Sequence, residues 1–258
     1  MHPAHVRAAV LELVDAGLND GQVSRRTGVP RRTVRDMRRY REEPRRRNGG
    51  PAVLTETCPR CWGRAKPIRF TDQDYAELLG LYLGDGSISQ GARTARLRVV
   101  LDERYPDIIR DTTKLLRRCF PKNGVHVGRN SKGSCLSLSV YSSHLVCLFP
   151  QHGSGPKHAR RIALEDWQRE LTDRAPWAFL RGCIRSDGSV FVNRTGPYEY
   201  VSYEFSNSSD DIARLFEDIC KELDLRPRAS RNRRGLWKIR INRRESVARL
   251  RQHVGVKS

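Results

Sequence analysis

Two nine-residue stretches decide how this sequence folds: LLGLYLGDG at residues 78–86 and LRGCIRSDG at residues 180–188. Each has a helical pattern with small residues four positions apart, and each ends in Asp-Gly. Residues four apart share one face of a helix, where small side chains let two backbones come close. Because glycine inside a helix costs about 1 kcal/mol relative to alanine, we expect two closely packed helices. The interface residues are Gly80, Gly84, Gly182 and Ser186.

The acidic residue of each stretch, Asp85 or Asp187, falls at the C-terminal end of its predicted helix. The helix macrodipole is already negative there, and two neighbouring carboxylates repel each other. A divalent cation held by the carboxylates and nearby backbone carbonyls would make the arrangement favourable. It could activate water for attack on phosphorus. The alternative is that each Asp-Gly only ends a helix, but the repetition at matching positions disfavours it.

The chain repeats the order helix, strand, helix, strand, strand, helix at an offset near 102 residues, which predicts an α+β fold of two similar halves. Alternation such as that of residues 237–241 predicts strands with one apolar and one basic face. The elements of the first copy are predicted at residues 74–83, 97–101, 105–120, 125–129, 136–141 and 143–149. Those of the second are predicted at 176–185, 200–206, 210–225, 228–232, 236–242 and 245–254.

With both motifs and the repeated order in view, residues 71–258 resemble the LAGLIDADG homing endonucleases, also called dodecapeptide or DOD-type. They resemble the form in which one chain carries both pseudo-symmetric halves. The resemblance implies helices packed on two saddle-shaped antiparallel sheets, with a further strand after each motif, at 87–90 and 189–193. It also implies a metal-dependent double-strand break at a long, asymmetric DNA site, made by phosphodiester hydrolysis.

Carried over position by position, the resemblance makes Asp85 and Asp187 the catalytic, metal-binding acids. The ion would be Mg²⁺ or another divalent cation, with the Gly84 and Ser186 carbonyls as added ligands. The family also places basic residues near the cleavage centre. Lys238 is our first candidate for such a catalytic residue and Lys157 the second; the alternative for Lys238 is a simple phosphate contact.

Before the repeats, residues 1–43 show three short helical segments with a Gly-Val-Pro turn, and the last is rich in arginine. This resembles a small all-α helix-turn-helix DNA-binding domain. In that resemblance the third helix enters the major groove. The alternative is a plain three-helix bundle with a charged face. The expected DNA contacts are Arg31, Arg32 and Thr33 to base edges and Arg35 and Arg38 to phosphates.

Residues 44–70 are predicted to be a basic linker, which leaves residues 71–155 and 156–258 as the two repeats. The linker contains Cys58 and Cys61, whose spacing suits one half of a zinc site. Because no second such pair follows, the favoured interpretation is a vestigial zinc knuckle or two solvent-facing thiols, and bound Zn²⁺ is the alternative.

The charge of the chain indicates a polyanionic partner. The formal net charge of the 258 residues is +20. Residues 226–258 hold 12 Lys and Arg against one acid, a density typical of a phosphate-facing surface. We expect Arg228, Arg231, Arg233 and Arg240 to contact DNA. The sequence has no membrane-length apolar run, so we expect an intracellular, cytoplasmic and nucleoid-associated monomer.

These observations predict a site-specific endonuclease acting on double-stranded DNA. Two other functions are compatible with the same surface: a domesticated transcriptional regulator that only grips DNA, and a maturase that assists RNA splicing. A protein that only binds does not need both motif acids. The presence of Asp85 and Asp187 therefore favours the nuclease.

Overall fold

A computed structural model describes residues 4–42, 70–91, 94–129 and 133–257. The chain divides into two compact units, residues 1–67 and 68–258. Cys58, Cys61 and nearly all of the predicted linker lie outside the described residues. None of the helices in the described ranges is long and apolar enough to cross a membrane.

The first unit consists, in its described part, of helices α1 (Ala4–Asp15), α2 (Asp20–Thr27) and α3 (Arg31–Glu42). Asn19 is the N-cap of α2 and forms a capping box. Its side-chain oxygen accepts hydrogen bonds from backbone N–H groups of the first turn, and its own backbone N–H donates to Gln22 Oε1. Gly28 ends α2 at a φ of +67°, which glycine adopts without strain. A small apolar core holds the helices together: Val10, Val23, Val29, Val34 and Met37.

The second unit begins with the first repeat, in which two long helices and a short one accompany one sheet. The helices are α4 (Asp72–Leu83), α5 (Pro106–Cys119) and α6 (Leu145–Leu148). The strands are β1 (Gly86–Gln90), β2 (Ala95–Asp102), β3 (Val125–Arg129) and β4 (Cys135–Ser142). The antiparallel sheet has the order β1-β2-β4-β3.

The second repeat has the same architecture. Its helices are α8 (Pro176–Asp187), α9 (Asp210–Glu222) and α10 (Arg244–His253), and α7 (Asp166–Arg174) precedes them. Its strands are β5 (Gly188–Thr195), β6 (Tyr198–Asn207), β7 (Arg228–Arg231) and β8 (Trp237–Ile241). The sheet order β5-β6-β8-β7 matches that of the first repeat, so the predicted α+β fold of two pseudo-symmetric repeats is confirmed.

Helices α4 and α8 pack with their backbones in near contact. A Cβ atom on Gly80 would lie 2.5 Å from the Phe179 carbonyl oxygen. A Cβ atom on Gly182 would overlap the Glu77 carbonyl oxygen. Real Cβ atoms do not come that close to backbone, so only glycine fits at these two crossing positions. The close approach brings the ends of both motif helices together.

A charged cluster spans the same helix pair. Glu77 on α4 is buried and forms ion pairs with Arg181 at 2.9 Å and Arg185 at 2.6 Å, both on α8. Arg185 also pairs with Asp111 on α5 at 3.0 Å. The buried glutamate of this helix interface thus comes from the first repeat, and its two arginine partners come from the second.

Each sheet has a buried and an outer face, as strand alternation requires. In β6, Tyr203 and Phe205 are core residues, so Glu204 between them points to the outer face. Strand register aligns Ser189, Glu204, Arg240 and Arg228 in one row across the outer face, which we call the repeat-2 row. The corresponding repeat-1 row contains Ser87, Arg98, Ser139 and His126.

Candidate active site

The two motif acids meet where α4 and α8 end. Asp187 is the last residue of α8, and Asp85 follows the C-cap residue of α4, Gly84. A Cβ atom on Gly84 would lie 3.2 Å from Asp187 Oδ2, so the Asp187 carboxylate reaches the end of the other helix. Asn207, the last residue of β6, donates a 2.6 Å hydrogen bond to the same oxygen. Two half-buried carboxylates therefore share one end of the helix pair.

The environment disfavours the charged form of both acids. Burial and the Asp187 charge raise the pKa of Asp85 to about 6, although Lys257 and Lys157 oppose the change. Burial also raises the pKa of Asp187, against the Asn207 hydrogen bond and the same two lysines. The carboxylates are thus incompletely compensated by the protein itself, which favours the binding of a further cation.

Two lysines lie against the helix ends. Lys157 Nζ donates to the carbonyl oxygens of Tyr82, Leu83 and Gly84 at 2.6, 3.0 and 2.7 Å. It thereby satisfies C-terminal carbonyls of α4 that have no partner within the helix. Burial lowers the pKa of Lys157 to about 8, against the attraction of Asp187 and Asp85.

Lys257 does the same for α8, donating to the Ser186 and Gly188 carbonyl oxygens at 2.7 and 3.0 Å. Burial lowers its pKa as well, against the attraction of Asp85 and Asp187. Each lysine therefore caps a motif helix and faces both acids.

The two lysines are related by the repeat. Each stands two residues after a glycine with positive φ, +77° at Gly155 and +84° at Gly255. Lys157 was a candidate from the sequence, whereas Lys257 was not. The Gly-x-Lys pattern recurs after 100 residues, close to the offset of the motifs, and that recurrence was the available signal.

Lys238, our first catalytic candidate, has a different partner. Its Nζ lies 3.1 Å from Glu204 Oε1 on the outer face of the second sheet. The lysines whose charges act on Asp85 are Lys257 and Lys157. Strand alternation correctly predicted that Lys238 lies on the basic face of its strand. Its contact there is with Glu204 on β6.

An open groove of about 320 Å³ reaches one of the two acids, Asp187. Leu83, Gly84, Lys157, Asp187 and Asn207 are among the residues that line it. The polar groups along it are an ammonium, a carboxylate and an amide, and the space accommodates a phosphate group. A phosphodiester could therefore approach Asp187 from this side.

The two carboxylates fit a divalent ion that keeps part of its hydration shell. Among the described residues, no group of three or more His, Cys, Asp and Glu side chains could hold a metal ion. Mg²⁺, however, commonly uses one or two carboxylates together with water and substrate phosphate. The Gly84 and Ser186 carbonyls, expected as metal ligands, accept hydrogen bonds from Lys157 and Lys257. Asp85 and Asp187 are therefore the groups that would hold the ion.

The predicted DNA contacts in the first unit differ in their surroundings. Arg31 and Arg32 are exposed at the start of α3, and Thr33 is half-buried. Arg35 lies 3.6 Å from Asp20. Arg38 lies 3.4 Å from Asp20 and donates to the Leu18 carbonyl oxygen at 2.7 Å, so it ties α3 to the preceding turn.

The predicted contacts in the second unit also fall into two groups. Arg228 and Arg233 are exposed. Arg231 lies 3.1 Å from Asp210 and 5.4 Å from the Trp237 ring centre, and Arg240 forms an ion pair with Glu204.

This combination of two symmetry-related helices in glycine contact, an acid at the end of each, and a four-stranded sheet beside each defines a two-repeat domain with one shared site. Residues 175–255 match the family model described as LAGLIDADG-like domain. The match falls within the second repeat, so the LAGLIDADG resemblance seen in its motif is confirmed for these residues. No curated protein matches the sequence.

Solved structures similar to this chain include I-DmoI in complex with DNA and Mn, with 16% identity, coverage of 71% of this chain and 97% of that chain, and a TM-score of 0.48. The I-LtrWI LAGLIDADG homing endonuclease bound to target DNA has 10% identity, 72% and 85% coverage and a TM-score of 0.47. The N-terminal LAGLIDADG domain of DUF199/WhiA has 16% identity, 74% and 85% coverage and a TM-score of 0.46.

Proposed function

We propose that this chain is a site-specific DNA endonuclease of the homing type, which makes a metal-dependent double-strand break by phosphodiester hydrolysis. The observation that carries the proposal is the shared site of Asp85 and Asp187. Both acids are half-buried, both have raised pKa values, and a lysine lies beside each helix end. Perturbed acids and bases grouped beside a groove are typical of catalytic sites.

In this proposal Asp85 and Asp187 hold Mg²⁺ or another divalent cation. Such an ion, when bound, supplies activated water and stabilises the departing 3′-oxygen. The positive charges of Lys157 and Lys257 stabilise the negative charge that develops on the scissile phosphates. Asn207 holds Asp187 in position through its 2.6 Å hydrogen bond.

The remaining basic residues supply DNA affinity. The exposed arginines at the start of α3 suit a helix-turn-helix contact to bases, and those of the second sheet suit the duplex near the acids. A chain that carries both repeats needs no second copy to form the site, so we propose a monomer that binds a long double-stranded DNA site.

A second candidate function is DNA binding without cleavage, as in a transcriptional regulator. One observation favours it: Lys157 and Lys257 bring two positive charges to the two acids, so the site has internal counter-charges before any metal ion binds. A protein that only binds DNA could retain both acids with these counter-charges and without a metal ion.

Cleavage of a pooled plasmid library separates the two functions. The library contains the DNA that flanks the gene together with randomised inserts, and bound and cut molecules are sequenced separately with and without Mg²⁺. The proposal expects a unique double-strand break by the wild type. Asp85→Asn should bind the same site without cutting it. Asp218→Asn, an exposed acid on α9, is the matched control and should cut normally.

If wild type and Asp85→Asn enrich one site and neither cuts it, the endonuclease proposal fails and the binding function replaces it.

A further inference from the structure

The repeat-2 row contains an acid that the site described above does not use. Glu204 lies on the outer face of β6 but is only 6% exposed. Two cations cover it: Arg240 at 2.5 Å and Lys238 at 3.1 Å. Burial would raise the pKa of Glu204, but the hydrogen bonds from Arg240 and Lys238 outweigh it and lower the pKa, so the carboxylate stays charged.

Glu204 fixes the orientation of the Arg240 guanidinium. Arg240 Nε and Nη2 both donate to Glu204 Oε2, at 3.1 and 2.5 Å. The guanidinium carbon also lies 5.4 Å from the centre of the Phe191 ring, which adds a cation–π contact. The Arg240 side chain remains 42% exposed, and no described residue accepts a hydrogen bond from its Nη1. The Nη1 side of the Arg240 guanidinium is therefore available to a ligand, while the rest of the group is held in place.

An arginine with a fixed orientation and a partly neutralised charge is better suited to hydrogen-bond a DNA base than to contact a DNA phosphate. A phosphate contact depends mainly on net charge, and the Glu204 carboxylate cancels much of the charge of Arg240. Base recognition depends on donor geometry. Guanine presents the acceptors O6 and N7 in the major groove, and arginine is the side chain that most often pairs with them.

The first repeat has a different row at the same place. Ser139 occupies the position of Arg240, and Arg98 occupies that of Glu204. The acid-held arginine is thus a feature of one half, and the two halves would read different base pairs.

We propose that Arg240, held in position by Glu204 and Phe191, recognises a guanine in the half of the DNA site that the second repeat contacts. The proposal rests on the DNA-binding part of the proposed function and not on cleavage. It can hold even if the protein never cuts DNA.

Selection of bound sequences from a randomised duplex library tests this assignment, using the full chain in buffer without divalent metal. The wild type should enrich guanine at one position in one half-site. Arg240→Ala should lose that preference and leave the other positions unchanged, with about 5- to 150-fold weaker binding to the guanine site. Arg240→Lys, which keeps the charge but lacks the planar pair of donors, should weaken the preference.

Arg228→Ala is the matched control, since Arg228 is exposed and lies opposite Arg240 in the same row. It should weaken binding to all sequences equally and make the salt dependence shallower by about one phosphate contact. Melting curves of the variants confirm that they fold.

The assignment is overturned if folded Arg240→Ala keeps the guanine preference, or if the wild type selects no guanine at all. If the protein bound but did not cut DNA in the plasmid experiment, the endonuclease proposal would fail, but the assignment of Arg240 would stand.

Discussion

Replacing Asp85 with asparagine should stabilise the protein in the absence of metal. The pKa of Asp85 is raised from 3.8 to about 6, so keeping this group charged costs folding free energy at neutral pH. About two pKa units correspond to at most about 3 kcal/mol. We expect about 1–3 kcal/mol, since solvent screens a half-buried group. For a unit of this size the melting temperature should rise by about 3–10 °C.

The pH dependence gives the prediction its sign. The folded-state pKa lies above the unfolded one, so the wild type loses stability as the pH rises from about 4 to 6. Asp85→Asn lacks that loss. The gain of the variant should therefore be full above about pH 6 and vanish well below pH 4, where the carboxyl is protonated in both states.

Urea and thermal unfolding of the wild type and Asp85→Asn between pH 3.5 and 8, with EDTA present, measures the effect. Asp218→Asn, at an exposed position, should show little change at any pH. An unchanged or lower melting temperature of Asp85→Asn at pH 8 would refute the reasoning, because Asp85 would then stabilise the fold. Adding Mg²⁺ should reduce the difference, since an ion that binds the folded wild type stabilises it.

Three further predictions concern packing, chemistry and charge. Gly182→Ala should destabilise the fold by about 1–3 kcal/mol, because its Cβ would overlap the Glu77 carbonyl oxygen; Gly128→Ala, with open space around it, is the control in urea titrations. Lys257→Met should lower the cleavage rate by about 100-fold with DNA affinity nearly unchanged, and equal loss of binding in a filter assay would contradict the role proposed for it. Glu77→Gln should cost about 1–3 kcal/mol in chemical denaturation because it leaves Arg185 without its closest partner, and a neutral result would show that solvent already compensates that charge.

The sequence predicted the helix contact and most elements because their determinants are local. Spacing of small residues is visible in the chain, and so is strand alternation, which placed β3 at its observed bounds. Helix α7 was missed. Its Gln168 is fully buried and donates to the Tyr75 hydroxyl at 2.7 Å, a contact between residues 93 positions apart.

The site was predicted in part for the same reason. The positions of Asp85 and Asp187 follow from the motifs themselves. Lys238 was our first catalytic candidate because the family places basic residues on late strands. Strand periodicity shows which face its side chain occupies but not its partner, which is Glu204. Lys257 lies near the C-terminus, where only the fold brings it to the end of α8.

The ion pairs of Glu77 with Arg181 and Arg185 make the two halves non-interchangeable. Two first halves facing each other would bring two glutamates together, and two second halves would bring four arginines together. If the chain arose by duplication, its two helix faces were once identical and now carry complementary charges. Each sheet is then free to diverge while the pairing of the helices stays fixed. Chimeras that exchange whole halves with related proteins would have to carry this charge pattern with them.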